Sequence, residues 1–64
     1  MRTGTVKFFN HKNKFGFIID NESKKEFYCH VRNVQGQINE GDSVSFELKE
    51  EKKGPVCVEV KKLE

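Results

Sequence analysis

Six phenylalanines and one tyrosine are spread unevenly along the chain, with Phe8, Phe9, Phe15, Phe17, Phe27 and Tyr28 all in the first half of its 64 residues. Lys7, Lys12 and Lys14 are interleaved with them, and His30 follows two positions after Tyr28. Flat rings beside ammonium groups suit a ligand of flat bases joined by anions: bases stack on rings whatever their identity, and lysines neutralise phosphates. The same residues offer little to catalysis. His30 has no evident nucleophile or paired carboxylate on its face, and His11 sits in a polar turn, so no catalytic residue is assigned. Cys29 and His30 are adjacent and would point to opposite faces of a strand. No pair of cysteines has C-x-x-C spacing, so no metal site and no cofactor is expected. Cys29 and Cys57 read as reduced thiols in or near the core, since a tiny secreted fold would carry more cysteines in pairs.

The elements that must position these residues read as strands. Glycine and β-branched or aromatic residues recur at short intervals, and no long amphipathic helical pattern appears. Strands are expected over residues 2–9, 15–20, 26–30 and 43–50, with a fifth beginning at Pro55, which lacks a donor and suits a strand start. Polar turns at 10–13 and 21–25 join the first three, and a charged hairpin at 50–54 joins the last two. The stretch 31–42 is the least regular, with one helical turn at 32–34 and with Gly36 and Gly41 as punctuation. Five short strands in so small a chain fit a closed all-β barrel, which removes the sheet edges and lets one face of every strand share a core. The expected core is Val6, Ile18, Phe27, Cys29, Val34, Ile38, Val44, Phe46, Leu48, Val56, Val58 and Val60.

Alternation then sorts the rings. Side chains two apart share a face of a strand, so Phe15 and Phe17 lie side by side, opposite Ile18. Phe27 and Cys29 point in, whereas Tyr28 and His30 point out. Phe8 and Phe9 cannot both face one way in a regular strand, so one is exposed unless the strand is bulged there. Gly16 offers a gap for a planar ring. A barrel of this size has a single interior, already supplied by Ile18, Phe27 and Cys29, and the remaining rings form an exposed aromatic face that needs a reason.

The charge is uneven in the same sense. Net charge is only +2, but residues 1–20 hold Arg2, Lys7, Lys12 and Lys14 against Asp20 alone, while residues 31–50 carry an acidic excess. A chain of this length makes one domain, 1–64, with little room for a deep pocket, which argues against a small-molecule substrate. No apolar run approaches a membrane span, and the stretch after Met1 is not of signal-peptide type, so a cytoplasmic protein with no membrane partner is expected.

Taken in order, Gly4-Thr5-Val6-Lys7-Phe8-Phe9-Asn10, Phe15-Gly16-Phe17-Ile18, Phe27-Tyr28-Cys29-His30, Glu40-Gly41, Val44-Ser45-Phe46-Glu47 and Gly54-Pro55 resemble the bacterial cold-shock proteins and the related Y-box cold-shock domain. The resemblance covers essentially the whole chain. The Phe-Gly-Phe-Ile and Phe-Tyr-Cys-His segments are similar to the two ribonucleoprotein motifs of that family. It implies a five-stranded antiparallel barrel of the oligonucleotide/oligosaccharide-binding (OB) type. It also implies binding of single-stranded RNA and DNA, with a preference for pyrimidine-rich tracts, and an RNA-chaperone role. Lys7, Phe8, Phe15, Phe17, Tyr28 and His30 fall at its base- or phosphate-contacting positions, with Phe9 at the edge of that surface, partly buried.

The chain departs from the family at several of these places. Phe8 stands where the family usually has Trp. Asn13-Lys14 replaces Lys-Gly, with Asn13 expected to take the left-handed backbone and Lys14 the charge. Val31 replaces a Phe, and the 34–41 loop is short and lacks an aromatic. Fewer stacked bases imply lower affinity than a fully aromatic member has.

The expected activity is therefore single-strand binding by a monomer, with bases on Phe8, Phe15, Phe17, Tyr28 and His30 and phosphates on Lys7, Lys14 and Lys12. A protein-interaction barrel that uses the same face for a proline-rich peptide is the rival from another class. It would be insensitive to salt and indifferent to strandedness. A duplex reader would need a helix for the major groove, which the sequence does not supply.

Overall fold

The computed structural model describes residues 2–63. Alternating apolar residues produce five long strands: β1 (Arg2–Asn10), β2 (Phe15–Asp20), β3 (Glu26–His30), β5 (Ser43–Glu51) and β6 (Gly54–Lys62). A two-residue strand, β4 (Val34–Gln35), follows a single 3-10 turn at Val31–Asn33. The long strands lie within a residue or so of their expected bounds, and the helical turn is one residue earlier than expected.

The strands are ordered β3-β2-β1-β5-β6, with β4 beside β6, and β3 pairs back onto β6 to close the barrel. Sequential neighbours are antiparallel, but the β3–β6 and β4–β6 pairings are parallel. Parallel closure needs a long connection, and residues 31–53, the irregular 31–42 stretch followed by β5, supply it. That stretch is anchored: the Gly41 N–H donates to the Val6 carbonyl at 2.8 Å, and the Val6 N–H donates to the Asp42 carbonyl at 2.9 Å. Ile38, from the same stretch, is buried in the barrel.

The interior holds Val6, Ile18, Cys29, Ile38, Val44, Phe46, Cys57 and Val60, with Phe9, Phe27, Val34 and Leu48 packed against them. Val56 and Val58 are corrections to the expected core. Both are only half-buried, and Cys57 between them is the residue that points in. The reason is a bulge. Ser45 pairs with Lys61 but Glu47 pairs with Val58, so β6 carries one more residue than β5 there. Glu59 sits in the bulge with φ 50°, a left-handed backbone. An inserted residue reverses the alternation, so Cys57 and Val60 share the interior although their numbers differ in parity.

A second bulge acts on β1. Val6 pairs with Ile18 and Phe8 with Phe17, which leaves Lys7 unpaired. Val6 then points in, Lys7 and Phe8 both lie outside, and Phe9 turns back toward the core.

Candidate nucleic-acid interface

The outer face of β1–β2–β3 is built around four rings. Register places Phe8 opposite Phe17, and Phe17 opposite Tyr28. Ring centroids are 5.5 Å apart for Phe8–Phe17, 6.2 Å for Phe8–Phe15, 6.0 Å for Phe15–Tyr28 and 6.0 Å for Phe17–Tyr28. Phe15 and Tyr28 are stacked at an interplanar angle of 23°, whereas Phe15–Phe17 and Phe17–Tyr28 meet edge to face at 88° and 81°. These are favourable ring geometries at favourable spacings. The rings therefore brace one another while leaving area open to solvent, most of all at Tyr28, which is 38% exposed.

Gly16 is a position where the structure amends the reading of this face, and Phe9 is partly buried, as expected. Gly16 is buried on the inner side. A Cβ added to it would lie 2.6 Å from Cδ2 of Phe9 and 2.9 Å from its Cα. The gap at Gly16 is filled by the chain's own Phe9, which is register-paired with it. Phe9 thus packs on the core and against His11, 5.0 Å away, apart from the four-ring cluster.

His30 is opposite Phe15 in register and extends the face along β3. Its Nδ1 accepts a hydrogen bond from the Arg32 N–H at 3.1 Å, capping the 3-10 turn. A neutral imidazole that accepts at Nδ1 carries its proton on Nε2, so His30 offers an N–H donor beside the rings.

The three lysines are differently placed. Lys7, in the bulge, donates to Glu26 Oε2 at 2.8 Å, with both side chains about half exposed. Lys12 is exposed in the β1–β2 turn. Lys14 is exposed at the end of that turn, where it takes the left-handed backbone itself, with φ 63°. Asn13, expected in that role, instead donates its N–H to Oδ1 of Asn10 at 3.0 Å. The Lys14 N–H donates to the Asn10 carbonyl at 2.7 Å and its carbonyl accepts from Val31 at 2.9 Å, so the turn is held to β1 and to the end of β3.

Sequence reasoning missed the continuation of this face. Beyond Tyr28 and His30 a groove runs along β6, lined by Pro55, Val56 and Val58 and flanked by Arg32 and Lys53. Val56 is register-paired with Tyr28. Cysteine is among the most buried residue types. That preference, applied at Cys57, was the available signal that its two valine neighbours face out.

Among the described residues no group of three or more His, Cys, Asp or Glu side chains converges as a metal would require. Asp20 is the one buried carboxylate among the described residues. It accepts from the Ser23 N–H at 3.0 Å, the Ser23 hydroxyl at 2.8 Å and Arg2 at 3.3 Å. The two Ser23 hydrogen bonds, helped by Arg2, hold its pKa below the ordinary 3.8 against the opposing effect of burial. It stabilises the β2–β3 turn on the side away from the rings.

A closed five-stranded barrel of OB type with an outward aromatic face is the architecture of a nucleic-acid-binding module. The chain belongs to the cold-shock domain family: residues 2–63 match the family described as the 'Cold-shock' DNA-binding domain. It is 40% identical over 67 aligned residues to the cold shock-like protein CspLB of Listeria monocytogenes, covering 98% of this chain and 100% of the relative. It is 38% identical over 61 residues to the cold shock-like protein CspC of Escherichia coli K12, covering 89% and 88%. Among solved structures, Drosophila Unr CSD456 superposes with a TM-score of 0.81 at 21% identity, over 98% of this chain and 26% of that longer one. At that identity the likeness is one of fold. The family binds single-stranded nucleic acids and is not enzymatic.

Proposed function

We propose that this chain is a cytoplasmic, monomeric single-domain protein that binds single-stranded RNA and DNA by base stacking and acts as an RNA chaperone. The observation that carries this reading is the cluster of Phe8, Phe15, Phe17 and Tyr28 on the outer face, at centroid spacings of 5.5–6.5 Å, in a barrel whose core does not need them. Bases splay from the strand and stack on these rings, each worth about 1–3 kcal/mol. His30 extends the row, and its Nε2–H donates to a base carbonyl, which suits the pyrimidine preference that family resemblance implies. Lys14, Lys12 and Lys7 neutralise phosphates, and Phe9 supports the platform from within. A base inside a duplex cannot present its face, so binding competes with pairing. A modest number of contacts allows release, after which RNA refolds.

The test is fluorescence anisotropy of labelled oligo-U and oligo-dT heptamers against a matched duplex, over a salt series. The expected result is preference for single strands, with log affinity falling against log salt by about 0.7 per phosphate contact. Salt-insensitive binding with no strand preference would turn the reading toward a peptide-binding barrel. With Phe8 in place of Trp, Val31 in place of Phe and no aromatic in the 34–41 loop, affinity is expected below that of a fully aromatic relative in matched titrations.

A further inference from the structure

Cys29 and Cys57 are direct register partners across the parallel β3–β6 pairing that closes the barrel. Both side chains are fully buried, both thiols are free, and the stacking face uses neither. Paired strands lie about 4.7–4.9 Å apart, inside the about 4.4–6.8 Å separation of Cα atoms that a disulfide spans. Both residues point to the same interior, so their Cβ vectors are on one side of the sheet.

We propose that Cys29 and Cys57 are an oxidative cross-linking site, whose disulfide ties β3 to β6 and locks the barrel closed. Among the pairings of the five long strands this seam is the shortest. It consists of two register pairs, Tyr28 with Val56 and Cys29 with Cys57, against the six that join β1 to β2. Local opening concentrates where few pairings hold a segment. In the closed barrel burial pushes the Cys29 thiol up to about 11 and the Cys57 thiol up to about 12, so almost no thiolate is present at neutral pH. Opening the seam returns the thiols toward ordinary acidity and admits a small oxidant.

A low-molecular-weight disulfide is the oxidant class that fits. One cysteine gives its proton to solvent, and its thiolate attacks a sulfur of the oxidant, which forms a mixed disulfide and expels one small thiolate. The second cysteine then deprotonates and attacks the Sγ of the first, forming the Cys29–Cys57 bond and expelling the second small thiolate. The protein loses two electrons and two protons, and the oxidant becomes two thiols. Register makes the second step intramolecular and fast, so the mixed disulfide does not accumulate.

The experiment exposes the folded chain to oxidised glutathione in native buffer and reads intact mass, free thiols and thermal midpoint. The expected product is a monomer lighter by two hydrogens, with both thiols lost together and no stable glutathione adduct. Its midpoint rises by on the order of 10 °C, and a reductant reverses all three changes. Cys57→Ala and Cys29→Val, checked for folding by circular dichroism, should instead accumulate the glutathione adduct on the remaining thiol. The proposal is overturned if the wild-type chain ends as stable adducts or intermolecular dimers, if it stays unmodified, or if the lighter species forms only in denaturant. These readouts involve no nucleic acid, so they stand or fall apart from the binding function.

Discussion

Lys7 donates to Glu26 at 2.8 Å across the intervening strand β2, beside the ring face. A phosphate arriving at Lys7 must compete with that carboxylate. Glu26→Gln keeps the shape of the side chain and removes its charge. Oligo-dT should then bind about two- to fivefold tighter, the range an exposed ion pair allows. The salt slope should steepen by up to about 0.7, one added phosphate contact. Anisotropy titrations of the two proteins across a salt series check this, and identical slopes would show that Lys7 takes no phosphate.

Phe17 and Phe9 should separate binding from folding. Phe17 contacts Phe8, Phe15 and Tyr28 on the outside, so Phe17→Ala should weaken oligonucleotide binding by about 1–3 kcal/mol. Phe9 lies against the core over Gly16. Phe9→Ala should destabilise the fold by about 2–4 kcal/mol through the cavity it leaves. Urea denaturation and anisotropy on the same two variants report both quantities, and the opposite ranking would exchange the roles assigned here.

Gly16→Ala tests the close approach of β1 and β2. The new Cβ would lie within 3 Å of Phe9 backbone as well as its ring, and backbone cannot step aside as a flexible side chain does. Destabilisation of about 1–3 kcal/mol is expected, visible as a lower urea midpoint. An unchanged midpoint would mean that the β1 bulge absorbs a methyl group.

Lys14 and Glu59 are two non-glycine residues with left-handed backbone, at φ 63° and 50°. Substitution by glycine removes the clash of Cβ with backbone and adds freedom to the unfolded chain, and the first effect is the larger. Lys14→Gly and Glu59→Gly should each stabilise by about 0.5–1 kcal/mol. Only Lys14→Gly should also weaken binding and flatten its salt dependence, because Glu59 lies on β6, outside the phosphate path proposed here.

Stability should fall at both ends of the pH scale, for separate reasons. The folded pKa of Asp20 is depressed below 3.8 by its Ser23 hydrogen bonds and Arg2. Its stabilisation is present above 3.8 and is lost as pH falls through the folded value. The cysteine thiols are raised from 9.0 to about 11 and about 12 by burial. Above pH 9 the unfolded chain sheds protons that the folded chain keeps, so stability declines as pH rises toward 11 and 12. Thermal midpoints from acid to alkali, with Asp20→Asn and Cys57→Ala alongside, should show each variant flattening only its own limb.

Local pattern alone determined the all-β class, the long strands and the outward direction of Phe15, Phe17 and Tyr28. The reason is that alternation with period two is dictated by the pleat, and Phe15-Gly16-Phe17-Ile18 and Phe27-Tyr28-Cys29-His30 run without interruption. The same rule failed wherever a residue was inserted. At Lys7 a bulge sends Phe8 out and Phe9 in, a choice that alternation left open. At Glu59 a bulge reverses the count, turns Val56 and Val58 outward and brings Cys57 inside. A bulge arises from how paired strands must curve to close a barrel, and period-two alternation along one strand does not reveal it. The pairing of Lys7 with Glu26 and of Cys29 with Cys57 likewise depends on register between strands far apart in the chain. Composition and spacing could supply the rings, the charges and the thiols. Only closure of the barrel decided which of them meet.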